Sequence, residues 1–112
     1  MSERLHVRKL NRIEYGTGLF STGDGTYDDT MDLLREVSSN VWTSEDETSL
    51  EIPKADLRNG IKKLRRMSET TFRKKHPSLA KVGYTVKRAT DHLQSFLEEA
   101  DPEGDTVALD WF

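Results

Sequence analysis

The chain has no cysteine, and only three prolines and nine aromatic residues among its 112 positions. Without cysteine there is no disulfide framework, no thiol nucleophile, no iron–sulfur cluster and no Cys-ligated zinc. Long apolar runs are missing too, and nothing approaches the roughly 20 consecutive apolar residues of a membrane span. The opening Met-Ser-Glu-Arg-Leu-His-Val has no apolar core and no small-residue cleavage site, so a secretory leader is not expected and a cytoplasmic location is. Apolar residues are scarce throughout. Leu, Ile, Val and Phe supply 25 of the 112 residues, only just above the roughly 20% level below which chains tend to disorder. The length fits a single domain over 1–112 with a thin core.

What is present is periodic. Leu5 and Val7 alternate with His6 and Arg8, as in a strand with one buried face, and Leu10, Ile13 and Tyr15 extend it or begin its partner. A glycine-rich loop spans 16–26, and Asp24-Gly25 is a turn pair. From Tyr27 the period becomes helical. Tyr27, Met31, Leu34 and Val41, with Val37 beside them, share one face, and Asp28, Asp29 and Asp32 suit the positive N-terminal end of a helix over Tyr27–Ser39. Leu50 and Ile52 alternate with Glu51 in a short strand that Pro53 stops.

Leu57, Ile61, Leu64 and Met67 then mark an amphipathic helix over Lys54–Ser68. Gly60 at the edge of that stripe costs about 1 kcal/mol relative to Ala, which points to close approach of another element. Through Ser68–Gly83 the anchors are Phe72, Leu79 and Val82, with a break at His76-Pro77. Thr85 caps a last helix whose apolar face is Val86, Ala89, Leu93, Phe96, Leu97 and Ala100, ended by Asp101-Pro102. Val107, Leu109 and Trp111 alternate in a C-terminal strand over 105–112, which suits the core better than a displayed tail. The order predicts α+β: a short antiparallel or mixed sheet of three to four strands covered by three helices.

Catalytic and ligand motifs fail on spacing. Gly18 and Gly23 have the separation of a phosphate-binding loop, but Asp24 stands where its lysine belongs, and Ser21 replaces the third glycine of a dinucleotide fingerprint. A calcium loop from Asp24 puts Asp29 at the obligatory glycine and Arg35 at the bidentate glutamate. His6, His76 and His92 show no metal-ligand spacing and read as surface or capping histidines. The acidic groups Asp28-Asp29-Asp32 and Glu45-Asp46-Glu47 read as dipole complements and loop solubility. No cofactor, metal or catalytic residue is therefore expected. A small hydrolase or metal-dependent enzyme would require His6, His76, His92 or Asp28/Asp29 to converge in space.

The distribution of charge is the exception. The net charge of −3 conceals three blocks. Residues 1–53 carry 5 basic and 11 acidic side chains, residues 54–88 carry 12 and 2, and residues 89–112 carry none and 7. Within the basic helical segment 54–88, Arg58, Lys62, Arg65 and Arg66 lie opposite the apolar stripe, and 58/62 and 62/66 are like-charge pairs costing about 0.2–0.5 kcal/mol each. In the last helix, Lys87 and Arg88 near the start and Glu98 and Glu99 near the end oppose the macrodipole, by about 0.3–1 kcal/mol each. Local helix energetics did not choose these positions. Three arrangements account for the block: compensation by the protein's own carboxylates, contact with the acidic patch of a second copy, or an anionic partner. The reading is a protein-interaction or regulatory module whose partner-binding residues are Arg58, Lys62, Lys63, Arg65, Arg66, Arg73, Lys74 and Lys75. Its partner would be an acidic protein surface or a second copy. Nucleic acid is the alternative, although only Phe72 and Tyr84 interleave the cations to stack on bases.

Overall fold

A computed structural model describes residues 3–9, 14–15, 18–21 and 26–112. The elements in chain order are β1 (Leu5–Lys9), β2 (Glu14–Tyr15), α1 (Tyr27–Val37), β3 (Trp42–Thr43), β4 (Ser49–Pro53), α2 (Lys54–Arg65), α3 (Glu69–Lys75), α4 (Pro77–Lys81), α5 (Val86–Glu99) and β5 (Thr106–Trp111). The α+β class holds, with five helices among the described residues where three were expected.

The strands lie in the order β2-β1-β5-β4-β3, all neighbours antiparallel. Four of them form one continuous ladder, and the two-residue β2 adds to the end of β1. Register follows the alternation. Leu5 faces Trp111, Val7 and Leu50 flank Leu109, and Ile52 faces Val107, so the large apolar residues of β1, β4 and β5 fall on one face and are buried, whereas Trp42 of β3 pairs with Glu51 and is exposed. The other face carries His6, Arg8, Ser49, Glu51 and Asp110, the pattern of an antiparallel sheet with one side in water. Ala108 lies on that open side yet is buried, because β5 is central and its methyl group sits below longer neighbours.

The helices pack their apolar stripes into a single core with the closed face of the sheet. Full burial of a side chain such as Phe72 or Leu93 stabilises the fold by roughly 1.5–3 kcal/mol. Gly60 meets the close approach expected of it: a Cβ there would fall inside the carbonyl oxygen of Val37 and 2.7 Å from its Cα, so α1 and α2 touch backbone to backbone.

Helix ends fall where side chains redirect the backbone. α1 stops at Val37, short of Ser39, because Ser38 turns extended and its hydroxyl donates to Asp56 Oδ2 (2.9 Å). α2 stops at Arg65, short of Ser68, because Ser68 is extended and its Oγ accepts the Thr71 N–H (3.1 Å) to cap α3. The break at His76-Pro77 divides two short helices, with Pro77 in the first turn of α4. Phe72 and Leu79 are buried anchors as expected, and Val82 is half-buried. Thr85 caps α5 by accepting the Arg88 N–H.

Residues 10–13 and most of the glycine-rich loop, including Asp24-Gly25, lie outside the described residues. The described part of that loop is not a polar connection. Leu19 pairs with Leu5, and Phe20 is buried against Tyr84 and Phe96.

Candidate partner-binding face

The basic block is carried by α2, α3, the end of α4 and the first turn of α5. The antiparallel packing of α2 on α5 is fixed at both ends. Lys54 Nζ donates to the Asp101 carbonyl (2.5 Å) where α2 begins, and Arg65 shares a hollow with Val86, Lys87 and Asp91 where it finishes. Because Leu57, Gly60, Ile61 and Leu64 turn inward, Arg58, Lys62, Lys63, Arg65 and Arg66 all stand in solvent. Arg73, Lys74 and Lys75 follow in the last turn of α3, also exposed.

Internal compensation at contact distance is sparse among the described residues. Among the described residues, only two cations of the block form ion pairs, Lys75 with Glu36 (3.2 Å) and Lys87 with Asp91 (2.7 Å). Lys54 is spent on a carbonyl, and the Arg88 guanidinium lies 4.3 Å above the Tyr84 ring. The other eight (Arg58, Lys62, Lys63, Arg65, Arg66, Arg73, Lys74 and Lys81) have no carboxylate within 4 Å among the described residues.

Carboxylates on the helices are held by hydrogen-bond donors instead. Asp29 accepts the N–H groups of Ser78 (2.6 Å) and Leu79 at the start of α4, and Glu69 accepts that of Val86 (3.0 Å) at the start of α5. Asp56 accepts from Asn40 (2.8 Å) and Ser38, and those bonds hold its carboxyl below the usual range. Asp91 is likewise lowered, first by its hydrogen bond from Lys87 and more weakly by the nearby charge of Arg65.

A cleft of about 410 Å³ opens between the end of α1, the second half of α2 and the start of α3. Val37, Leu64 and Met67 give it an apolar lining, and Lys63, Arg66 and Lys75 stand around it. One carboxylate, Glu36, also lines the cleft and accepts from Lys75 (3.2 Å) and from His76 Nε2 (3.0 Å). The arrangement suits a ligand presenting an acidic group beside an apolar one.

The structure therefore divides the expected set. Lys63, Arg66 and Lys75 meet at the cleft. Arg58 lies at the far end of α2 beside Pro102 and Asp105, and Arg65 turns toward α5. Glu36 had no signal in the sequence, since its place depends on how α1 docks. Met67 was visible as the last member of the α2 stripe, but not as part of a cleft.

The histidines occupy three separate environments. His6 stacks on Phe112 at the open sheet face (3.9 Å) and donates from Nδ1 to the Arg4 carbonyl. His76 corrects the expectation of a surface residue. It does stand at the cap position between α3 and α4, where its backbone N–H donates to the Phe72 carbonyl, but it is 2% exposed, and its ring packs on Phe72 and donates to Glu36 because the α3–α4 break turns it inward. His92 is half-buried against Phe20 and Tyr84, and the Tyr84 hydroxyl donates to its Nδ1 (3.2 Å). Burial, and secondarily Arg88, lowers the His92 pKa, while burial raises that of Tyr84. Asp29 approaches the turn that holds His76, but its carboxylate is taken by backbone N–H groups. Among the described residues, no group of three or more His, Asp or Glu is placed to hold a metal. No described helix is long and apolar enough to cross a membrane.

Comparison of the chain with protein-family models, with curated proteins and with solved structures found no match.

Proposed function

We propose that this protein is a cytoplasmic protein-interaction module, acting by binding rather than catalysis, that takes an acidic segment of a partner protein on the α2–α3 face. The observation that carries this reading is the set of eight cations without a carboxylate partner among the described residues, two of which stand with Lys75 around an apolar-lined cleft. Charge-complementary contacts of this kind give register and specificity, and the surrounding cations speed encounter. Duplex nucleic acid fits less well. Its affinity rests on rows of phosphate contacts, whereas Glu36 stands inside the cleft and the segments on either side of the block carry net charges of −6 and −7.

Titration with poly-L-glutamate and with a DNA duplex, at rising salt, tests the reading. Wild-type protein is expected to bind the polyglutamate at low salt, and the variant with Arg58, Lys62, Arg65 and Arg66 all changed to Gln to lose most of that affinity while its circular dichroism is unchanged. Equal binding by the variant would sink the proposal. Preference for the duplex would transfer the face to nucleic acid.

A further inference from the structure

The charge of the cleft between α1, α2 and α3 can be counted. Its lining holds Lys63, Arg66 and Lys75 and one carboxylate, Glu36. Lys75 (3.2 Å) and His76 Nε2 (3.0 Å) both bond to Glu36. Lys63 and Arg66 have no carboxylate within 4 Å among the described residues. Glu69, the acidic residue nearest to Arg66 in sequence, lies outside the lining and accepts the Val86 N–H (3.0 Å). Beyond the Lys75–Glu36 pair, the cleft therefore presents the charges of Lys63 and Arg66.

Hydroxyl groups stand beside those charges. Ser68 and Thr71 line the cleft, and Ser68 donates to Thr71 Oγ1 (2.9 Å). In that bond Thr71 is the acceptor, and its own proton is not used. Val37, Leu64 and Met67 supply the apolar part. The wall behind them is firm, because Gly60 also lines the cleft and there the α1 and α2 backbones touch. A wall already in place lowers the ordering cost of binding.

Resting on the partner reading above, we infer that the acidic group taken by this cleft is the phosphate of a phosphorylated serine or threonine in the partner's segment, set beside an apolar neighbour. A phosphomonoester carries about −1.5 to −2 charges at pH 7, which matches Lys63 and Arg66 together. A carboxylate, or a phosphodiester of a nucleic acid, brings a single negative charge and leaves one cation unmatched. The phosphate also offers three acceptor oxygens to donors of three kinds: the planar fork of Arg66, the Lys63 ammonium and the Thr71 hydroxyl. The neighbouring apolar side chain covers Leu64 and Met67, which line the same cleft.

Fluorescence anisotropy with three labelled peptides tests this: a leucine-flanked phosphoserine peptide and its glutamate and serine counterparts. Wild-type protein is expected to bind the phosphoserine peptide roughly tenfold tighter than the glutamate one, the worth of one further charge-assisted hydrogen bond, and the serine peptide not measurably. Lys63→Gln with Arg66→Gln should bring that ratio to about one. Both residues are exposed. If this variant unfolds by circular dichroism, Arg66→Lys replaces it; it keeps the charge without the fork and should lose part of the preference. Equal affinity for the phosphoserine and glutamate peptides, or no binding of either, overturns the inference. If polyglutamate still binds, the partner reading survives that result. A ratio unchanged in the variant overturns it as well. So does inorganic phosphate that displaces the phosphopeptide at the peptide's own concentration, since the cleft would then be a free-anion site. Binding of the phosphopeptide without polyglutamate upholds the inference and confines the partner reading to phosphorylated segments.

Discussion

Helices α2 and α5 lie side by side, bury stripes of similar kind, and treat their own dipoles in opposite ways. α2 has Asp56 in its first turn and Lys62, Lys63 and Arg65 in its last, so its charges favour the helix, although no side chain caps its start. α5 has neither an acidic residue in its first turn nor a basic one in its last. It is secured from outside its own sequence span, by Thr85 at the cap and by the Glu69 carboxylate of α3 on the Val86 N–H. A helix can thus carry unfavourable charges when a neighbour supplies the missing anion. The placement of charge is then free of the preference of each helix.

The comparison can be broken from either side. The largest effect is expected on the α2 side at Gly60→Ala. Helix propensity alone would gain about 1 kcal/mol, but the new methyl group must displace the Val37 backbone, and overpacking of this kind costs typically about 1–3 kcal/mol or more. A net fall in the urea midpoint is expected. A rise would show that α1 and α2 separate freely.

On the α5 side, Glu69→Ala should cost about 1 kcal/mol, the size of a lost cap, and Thr85→Ala about the same. Because both groups serve the same helix start, the double variant should lose less or more than the sum, by a double-mutant cycle in urea. Strict additivity would mean the two bonds act separately.

The smallest effect sharpens the contrast through pH. α5 carries His92, whose folded pKa is lowered below 6.5 by burial, while α2 has no histidine. Protonation therefore favours the unfolded chain. The stability contributed by neutral His92 is fully present above about pH 6.5 and is lost as pH falls through the depressed folded value. The carboxyls of Asp56 and Asp91 are also lowered, and what they contribute is present above about pH 3.8 and lost below it, in a separate window. Urea midpoints measured across pH 5 to 7 should rise with pH in wild type and flatten in His92→Gln. An unchanged slope in the variant would assign the dependence to another group.

Much of this fold was legible because α1, α2 and α5 are long enough for a 3.6-residue period and the strands alternate cleanly. Even the close approach at Gly60 was readable, since a mid-helix glycine on an apolar stripe needs a reason. α3 and α4 escaped because seven and five residues hold too little period to detect. His76 looked like a surface residue among lysines. Only the docking of α1, which brings Glu36 and Asp29 against the α3–α4 turn, makes it internal. The basic block was plain in the sequence, but the scarcity of ion partners for it among the described residues was not, because that depends on where the carboxylates go. Asp29, Glu69 and Asp56 go to helix starts and to Ser38 and Asn40, and no local pattern announces this.

The sheet itself has a temporal side. β5 is the middle strand in space and the last in order, and Leu5 waits for Trp111, 106 positions further along the chain. During synthesis β1 and β4 have no common neighbour until residues 106–111 leave the ribosome, so their apolar faces stay uncovered while α1, α2 and α5 are already available. Closing so long a loop is also slow by comparison with the local helix contacts. The helices are ready early and the sheet is sealed late, which makes the half-made chain, rather than the finished one, the form most in need of protection from aggregation.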